Sequence, residues 1–470
     1  MDIEEFRKYG HIFVDWVADY YRDIERYSVC AKVQPGEIKQ RVAPCPPLKG
    51  ESMDELFKDF KDIIVPGMTH WQHPGWFAYF PANSSPPSVL AEILTAGLAA
   101  QCMIWQTSPA ATELEEVVIE WLRQMLLLPE GMEGVIQDTA STATLCALVS
   151  AREKATNFRS NEIGIDKKLT VYASEEAHSS VEKDVKIAGY GKNNLRYIPT
   201  DDAFAMIPAA LEHAIQKDIE GGFKPACVVA TIGTTSSCGI DALREIGIVC
   251  KKYDVWLHVD AAYAGTAAIL PEKRWILDGI EYVNSFVFNP HKWMFTNFDC
   301  SAYFVRDAEM LTRTFEIRPE YLKTSRDKQV KNFRDWGIQL GRRFRALKLW
   351  FVIRYYGVEG LQNMIRKHLQ LAEYFKEWVE TTPNLELLAP VHLSLVCFRY
   401  NDGRSEEQLN EINKELMKII NDSGEIFMTH TVLRGKYTLR FVVGQRNTSE
   451  KHVNNACRII ERAIAKIKNK

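Results

Sequence analysis

The chain lacks most of the marks that place a protein in a membrane, outside the cell or on nucleic acid. It has no apolar run of the roughly 18–20 residues that span a bilayer. The longest candidate, "VLAEILTAGLAAQCMIW", is interrupted by Glu92 and Gln101, and it reads as a buried or interface helix. The first residues, MDIEEFRKYGHIFVDW, are acidic and amphipathic, without the basic start and apolar core of a secretory leader. Charge of one sign is missing too: 58 basic residues face 61 acidic ones, a formal net charge of −3, so no nucleic-acid footprint is expected. The ten cysteines are scattered, with no CxxC pair and no tight Cys/His cluster. That excludes a disulfide frame or zinc site as an expectation and suits reduced thiols in a cytoplasmic protein. No internal repeat or low-complexity tract is present, and no metal is expected.

What is there is 470 residues with 46% hydrophobic content, enough for a large globular protein of more than one domain. Residues 1–80 read as amphipathic helices around a Pro-rich loop. Ser52 opens S-M-D-E, a capping box, before "DELFKDFKDIIV". Such helices have little core of their own, so a dimerisation segment is expected. From 81 to 350 short apolar runs alternate with helical stretches. The runs are "KLTVYAS", "NLRYIP", "ACVVATIG", "VWLHVDAA", "SFVFNP" and "SAYFVRD". This alternation predicts an α/β domain with a mostly parallel sheet covered by helices on both faces. From 351 to 470 the pattern predicts a small α+β domain, with "LSLVCFRYN" and "YTLRFVVGQ" as strands about the helix "SEEQLNEINKELMKIINDSG".

Ligands of open α/β sheets bind at the carboxyl ends of strands. His178, Thr234, Thr235, Asp260, Asn289, His291 and Lys292 all follow predicted strands. Each alone is an ordinary strand-end, cap or surface residue. Four polar strand ends in one domain predict a shared pocket. A lysine in an apolar site has a lowered pKa, and a neutral amine attacks an aldehyde. Pyridoxal phosphate (PLP) offers that aldehyde, and it needs a carboxylate for its ring nitrogen and donors for its phosphate. Asp260 is the candidate carboxylate. The stretch "DTAST", opening a helix, presents N–H groups and the Ser141 hydroxyl to an anion.

"NPHKW", "HVDAAYAG" and "LGRRFRALKLWFVIRYYG", with "HPGWFAYFPANSS", "SPAATELE" and "YTLRFVVGQRN", resemble the group II PLP-dependent decarboxylases, in their aromatic amino acid branch. The resemblance covers nearly the whole chain. It implies the PLP-dependent transferase type I fold, with a seven-stranded-type sheet. It implies that Lys292 binds PLP covalently, that Asp260 pairs with the pyridine nitrogen, and that His178 stacks on the ring with Thr235 on the other side. Ala140, Ser141, Asn289 and His291 would hold the phosphate. Trp71, Tyr79, Phe80 and Pro81 would shape an aromatic substrate pocket, joined by Ala82, Met103 and Gly341. Ala82 and Met103 depart from the Thr and Phe usual in animal members, and Met103 is expected to reach across from a neighbouring subunit.

The implied reaction is decarboxylation of an aromatic L-amino acid (tryptophan or 5-hydroxytryptophan, tyrosine, phenylalanine or dihydroxyphenylalanine) to its arylalkylamine and CO2. Tyr321 of "RPEYLKTSRDKQVKNF" fills the place of the family's proton donor, on a polar stretch that reads as a lid. Some plant members carry Phe where Tyr321 stands, and some insect members carry Asn where His178 stands; both then make aldehyde, ammonia and peroxide. This chain keeps both residues, so decarboxylation is expected ahead of aldehyde synthesis. Gly341 leaves room for a bulky ring and argues against histidine as substrate. A non-catalytic homologue and an aminotransferase are the remaining alternatives. The family's members are homodimers with shared active sites, which is expected here.

Overall fold

A computed structural model of the chain describes residues 1–317, 326 and 329–468. The N-terminal stretch is helical. Helix α1 (Ile3–Arg22) begins at Asp2, whose carboxylate accepts the Glu5 N–H. Helices α2 (Glu37–Arg41) and α3 (Met53–Asp59) follow. The Ser52–Glu55 capping box is present in full, as the spacing predicts. Aromatic contacts hold these helices together: Phe13 lies 4.9 Å from Phe57, and Trp16 lies 4.9 Å from Phe60. The end of the segment is drawn into the distant C-terminal core. Phe77 stacks on Phe441 at 4.0 Å, and the Val442 N–H donates to the Phe77 carbonyl.

Helix α4 (Pro86–Leu98) stops where Ala99 takes a left-handed conformation, and α5 (Pro109–Leu126) leads into the large sheet. That sheet has seven strands: β1 (Glu133–Gln137), β2 (Leu169–Ser174), β3 (Leu195–Ile198), β4 (Lys224–Thr231), β5 (Trp256–Asp260), β6 (Ser285–Phe288) and β7 (Ser301–Val305). Their spatial order is β1-β7-β6-β5-β4-β2-β3. Only β7 runs antiparallel to its neighbours, so the sheet is mixed and mostly parallel, as expected. The strand β1 was not among the predicted runs. Its sequence, EGVIQ, has a glycine inside and polar ends, which hides it.

The crossovers are α6 (Ala140–Thr156), α7 (Arg159–Ile163), α8 (Ser180–Ile187), α9 (Pro208–Glu220) and α10 (Leu243–Lys252). The single turn α11 (Pro290–Trp293) and α12 (Ala308–Phe315) follow β6 and β7. Strands buried on both faces explain the continuous apolar runs. On one face Tyr172, Val228, Val259 and Phe286 join the core that includes Leu122, Leu211 and Ile246 from the helices. On the other, Val171, Ala173 and Val229 pack with Leu148 and Val181.

Helix α13 (Arg345–Thr381) is broken at Gly357, whose φ of 67° is outside helical range. The boundary expected at 350/351 falls inside this helix. Core membership changes further along, after Ile365 and before Leu371. The second sheet is antiparallel, in the order β10-β11-β9-β8. Its strands are β8 (Leu385–Leu387), β9 (Leu395–Tyr400), β10 (Thr429–Leu433) and β11 (Lys436–Val442), with α14 (Glu406–Asp422) and α15 (Glu450–Lys468) supplying Leu416, Ile420, Val453 and Ile460 to the core they share. The Ser405–Gln408 capping box opens α14, and Gly424, at φ 73°, follows its end. None of the described helices is long and apolar enough to cross a membrane. All ten cysteines are unpaired.

Candidate active site

Four strand ends and one helix start meet at a cavity of about 200 Å³. Parallel strands end together, so the residue after each strand faces the same space. From β2 comes His178. Its Nδ1 accepts the Ser180 N–H at 3.2 Å and lies 2.8 Å from the Ser180 hydroxyl, which fixes the ring at the start of α8. From β4 come Thr231, Gly233 and Thr235. A Cβ on Gly233 would sit 2.5 Å from the Ala264 Cβ, so only glycine lets the chain turn this close. From β5 comes Asp260, a buried carboxylate whose Oδ1 accepts the Ala262 N–H at 3.0 Å. From β6 come Asn289, His291 and Lys292.

The charges are set by burial. Desolvation pulls the Lys292 amine below its ordinary range, and the Asp260 charge only partly opposes this. A lysine held toward neutrality keeps a lone pair available for a carbonyl carbon. Burial likewise lowers His178, with Lys292 adding to the effect and Asp260 opposing it. His291 is pushed down to about 3, first by burial and then by Lys292. Its Nδ1 accepts the Cys300 N–H at 2.9 Å, so the neutral ring carries its proton on Nε2.

At the far side, Thr139 caps α6, its Oγ1 accepting the Thr142 N–H. Ala140 and Ser141 form the first turn, where N–H groups have no intrahelical partner. The neighbouring Thr231 Oγ1 is buried without a hydrogen-bond partner. A row of aromatic rings backs the cavity. Phe80 stacks on Tyr263 at 4.0 Å, and Tyr263 on Trp293 at 4.5 Å. Trp293 then donates its Nε1–H to His368 Nδ1 at 2.9 Å. The Lys292 Nζ lies 5.7 Å from the centre of the Phe80 ring.

This donor set suits one kind of guest: an aldehyde on a flat ring, with a basic nitrogen toward Asp260 and an anion at the start of α6. A profile of the pyridoxal-dependent decarboxylase conserved domain matches residues 35–401. The chain belongs to the pyridoxal-dependent decarboxylases. It is 44% identical to phenylacetaldehyde synthase of Arabidopsis thaliana, over 98% of this chain and 96% of the relative. It is also 44% identical to tryptophan decarboxylase 2 of Oryza sativa subsp. japonica, over 100% of this chain and 96% of that one. The crystal structure of Oryza sativa TDC with PLP and tryptamine superposes with a TM-score of 0.97, at 38% identity and 99% coverage of both chains.

The cofactor of this decarboxylase is PLP, and the residues fit it: an amine for the aldehyde, a carboxylate, and free N–H groups with an unpaired threonine hydroxyl nearby. The cavity brings together Phe80, Ala140, Ser141, His178, Thr235, Asp260, Asn289, His291 and Lys292 from the predicted set. Thr234 instead turns inward, where its Oγ1 accepts the Gly239 N–H at 2.8 Å. Trp71, Tyr79, Pro81, Ala82, Met103 and Gly341 do not line the cavity within one chain. Trp71 and Tyr79 stack on each other at 5.7 Å and are exposed. Tyr321 lies outside the described residues. Sequence reasoning missed Thr231, Tyr263 and Phe298 in the wall. Tyr263 stood within "HVDAAYAG", three residues past the strand end, but Phe298 carried no signal, since its ring reaches the cavity by packing on His291 at 4.7 Å.

Proposed function

We propose that this decarboxylase acts on aromatic L-amino acids, releasing CO2 and the arylalkylamine. Lys292 carries the reading: an amine at the cavity wall, held toward neutrality by desolvation, with Asp260 in the same cavity. When bound, PLP supplies a carbonyl and an electron-accepting ring. Lys292 would hold it covalently and yield that place to the substrate amine. Asp260 would keep the ring nitrogen protonated. His178, neutral at the working pH, would cover one ring face, with Thr235 on the other side. Ala140, Ser141, Asn289 and His291 would take the phosphate, their N–H and O–H groups donating to its oxygens. The pocket's task is to hold the substrate's carboxylate across the ring plane.

Trp71, Tyr79, Pro81, Ala82, Met103 and Gly341 would meet the substrate ring where two protomers join, with Phe80 reaching it from the cavity. Tyr321 would deliver a proton to the substrate Cα from a partner subunit. The homodimer is supported by an exposed apolar stripe on α4. The unpaired cysteines suit the reducing cytoplasm.

Aromatic aldehyde synthesis is the second reading, favoured by the likeness to a phenylacetaldehyde synthase. His178 and Tyr321 speak for the amine. The test is to incubate purified protein separately with tryptophan, tyrosine, phenylalanine, dihydroxyphenylalanine, 5-hydroxytryptophan and histidine, measuring CO2, amine and peroxide. Amine matching CO2 without peroxide is expected for at least one aromatic substrate. Peroxide matching CO2 would transfer the assignment to the aldehyde synthase. No CO2 from any of them would end both.

A further inference from the structure

A one-turn helix cannot satisfy its own last carbonyls. Helix α11 is such a turn, and Lys292 stands on it. Its carbonyls at His291 and Lys292 are met by a residue from a remote part of the chain. The Asn83 backbone N–H donates to the His291 carbonyl at 3.1 Å. The Asn83 Nδ2 donates to the Lys292 carbonyl at 2.7 Å and to the Gly444 carbonyl at 2.7 Å. Its Oδ1 accepts the Arg446 N–H at 3.0 Å. Asn83 is 1% exposed. Both of its amide hydrogens are used, and the pattern fixes which way the amide points.

We propose that Asn83 is a positioning residue for Lys292, clamping the backbone under the reactive amine to the exit of β11. Neighbouring contacts prepare the clamp. A Cβ on Gly444 would fall 2.8 Å from Pro81 Cγ and 3.0 Å from the Tyr263 hydroxyl, so glycine allows this close approach. Arg446 Nε donates to the Ser84 carbonyl at 3.1 Å, and Ser85 Oγ to the Phe295 carbonyl at 2.7 Å. Residues 83–85 thus grip both the Lys292 turn and the strand exit of the second sheet. Alanine at 83 leaves the Lys292 and Gly444 carbonyls and the Arg446 N–H without these partners and frees the turn to shift. Small shifts of a reacting group cost large factors in rate.

The proposal rests on Lys292 being the cofactor-bearing amine, and the two are tested apart. The visible absorption band of parent holoenzyme, removed by borohydride and absent in Lys292→Ala, tests Lys292 alone. Asn83→Ala then tests the clamp. Expected are PLP uptake by the apoprotein slowed about tenfold, a displaced pH midpoint of the visible band, and kcat lowered about tenfold with KM changed less than about twofold. Asn83→Asp has two acceptors when ionised and regains a donor when protonated, so its kcat should approach the parent's as pH falls. An Asn83→Ala protein with parental uptake rate and band titration would overturn the clamp, whatever its melting temperature. If that variant does not fold, Asn83→Ser, which keeps one donor, is read the same way. If neither folds, Asn83 is a folding residue and the assignment is overturned.

Discussion

Asp184 shows how one buried side chain sets a pH dependence. It lies on α8, six residues beyond His178, at 3% exposure, and its Oδ2 has no hydrogen-bond partner. Burial raises its carboxyl from the ordinary 3.8 to about 7, with the Asp260 charge adding and Lys183 opposing. The folded protein therefore holds this proton more tightly than the unfolded chain. Stability falls as pH rises from near 3.8 to near 7, and above that the loss is complete. A shift of this size corresponds to about 4 kcal/mol. Asp184→Asn has no proton to lose. Its melting temperature should exceed the parent's at pH 8, and the advantage should shrink toward pH 4. Thermal melts of both proteins across this range check it, and a difference independent of pH would refute it. At this scale the sequence was informative where chemistry and position coincided. Lys292, Asp260 and His178 follow strands and carry reactive groups. Asn83 was invisible, because its role comes from two carbonyls more than 200 and 300 positions away.

Helix α4 makes the same point for an element. Leu90, Ile93 and Leu94 are each 50% exposed and Leu98 is 64% exposed. Their spacing puts them on one stripe. The other side is anchored: Glu92 pairs with Arg343 and lies 3.0 Å from the Lys348 Nζ. A stripe this apolar on a well-anchored helix needs a cover. The homodimer proposed above predicts a parent that sediments as a dimer and a Leu94→Asp variant that sediments as a monomer with an unchanged far-UV spectrum; a variant dimer of parental affinity would rule this surface out. One side of the helix is half exposed in the single chain, and the helix was legible as an apolar run with one charge. Its end was not, because Ala99 takes φ 47° without the glycine that usually signals a stop. The strands β1, β8 and β10 were also missed. They are short, and each lies at an edge of its sheet, where pairing is needed on one side only.

Across the whole molecule, the cavity joins strand ends and the N-terminus of α6, with the clamp at residues 83 and 444 behind it. A ligand bound there stabilises the folded chain by mass action, by about 2.7 kcal/mol at a hundredfold excess over Kd. Removing PLP should lower the melting temperature, and restoring it should recover the loss. In Lys292→Ala the gap between the two states should narrow, since the covalent link proposed for Lys292 cannot form. Equal melting temperatures with and without PLP would contradict a cofactor lodged between these elements. The layered plan was legible because sheets buried on both sides leave long apolar runs. The pairing order, and the reversed direction of β7, were not, because pairing is settled between segments that the sequence does not set side by side.

The rings of Phe80, Tyr263 and Trp293 have a further consequence. An aromatic plate has fixed thickness and no internal torsion, so plates laid face to face act as shims. Lys292 is the next residue to the last plate, and its height over the Phe80 face is gauged by the pile. A branched aliphatic side chain of equal bulk would fill the same volume and lose the gauge.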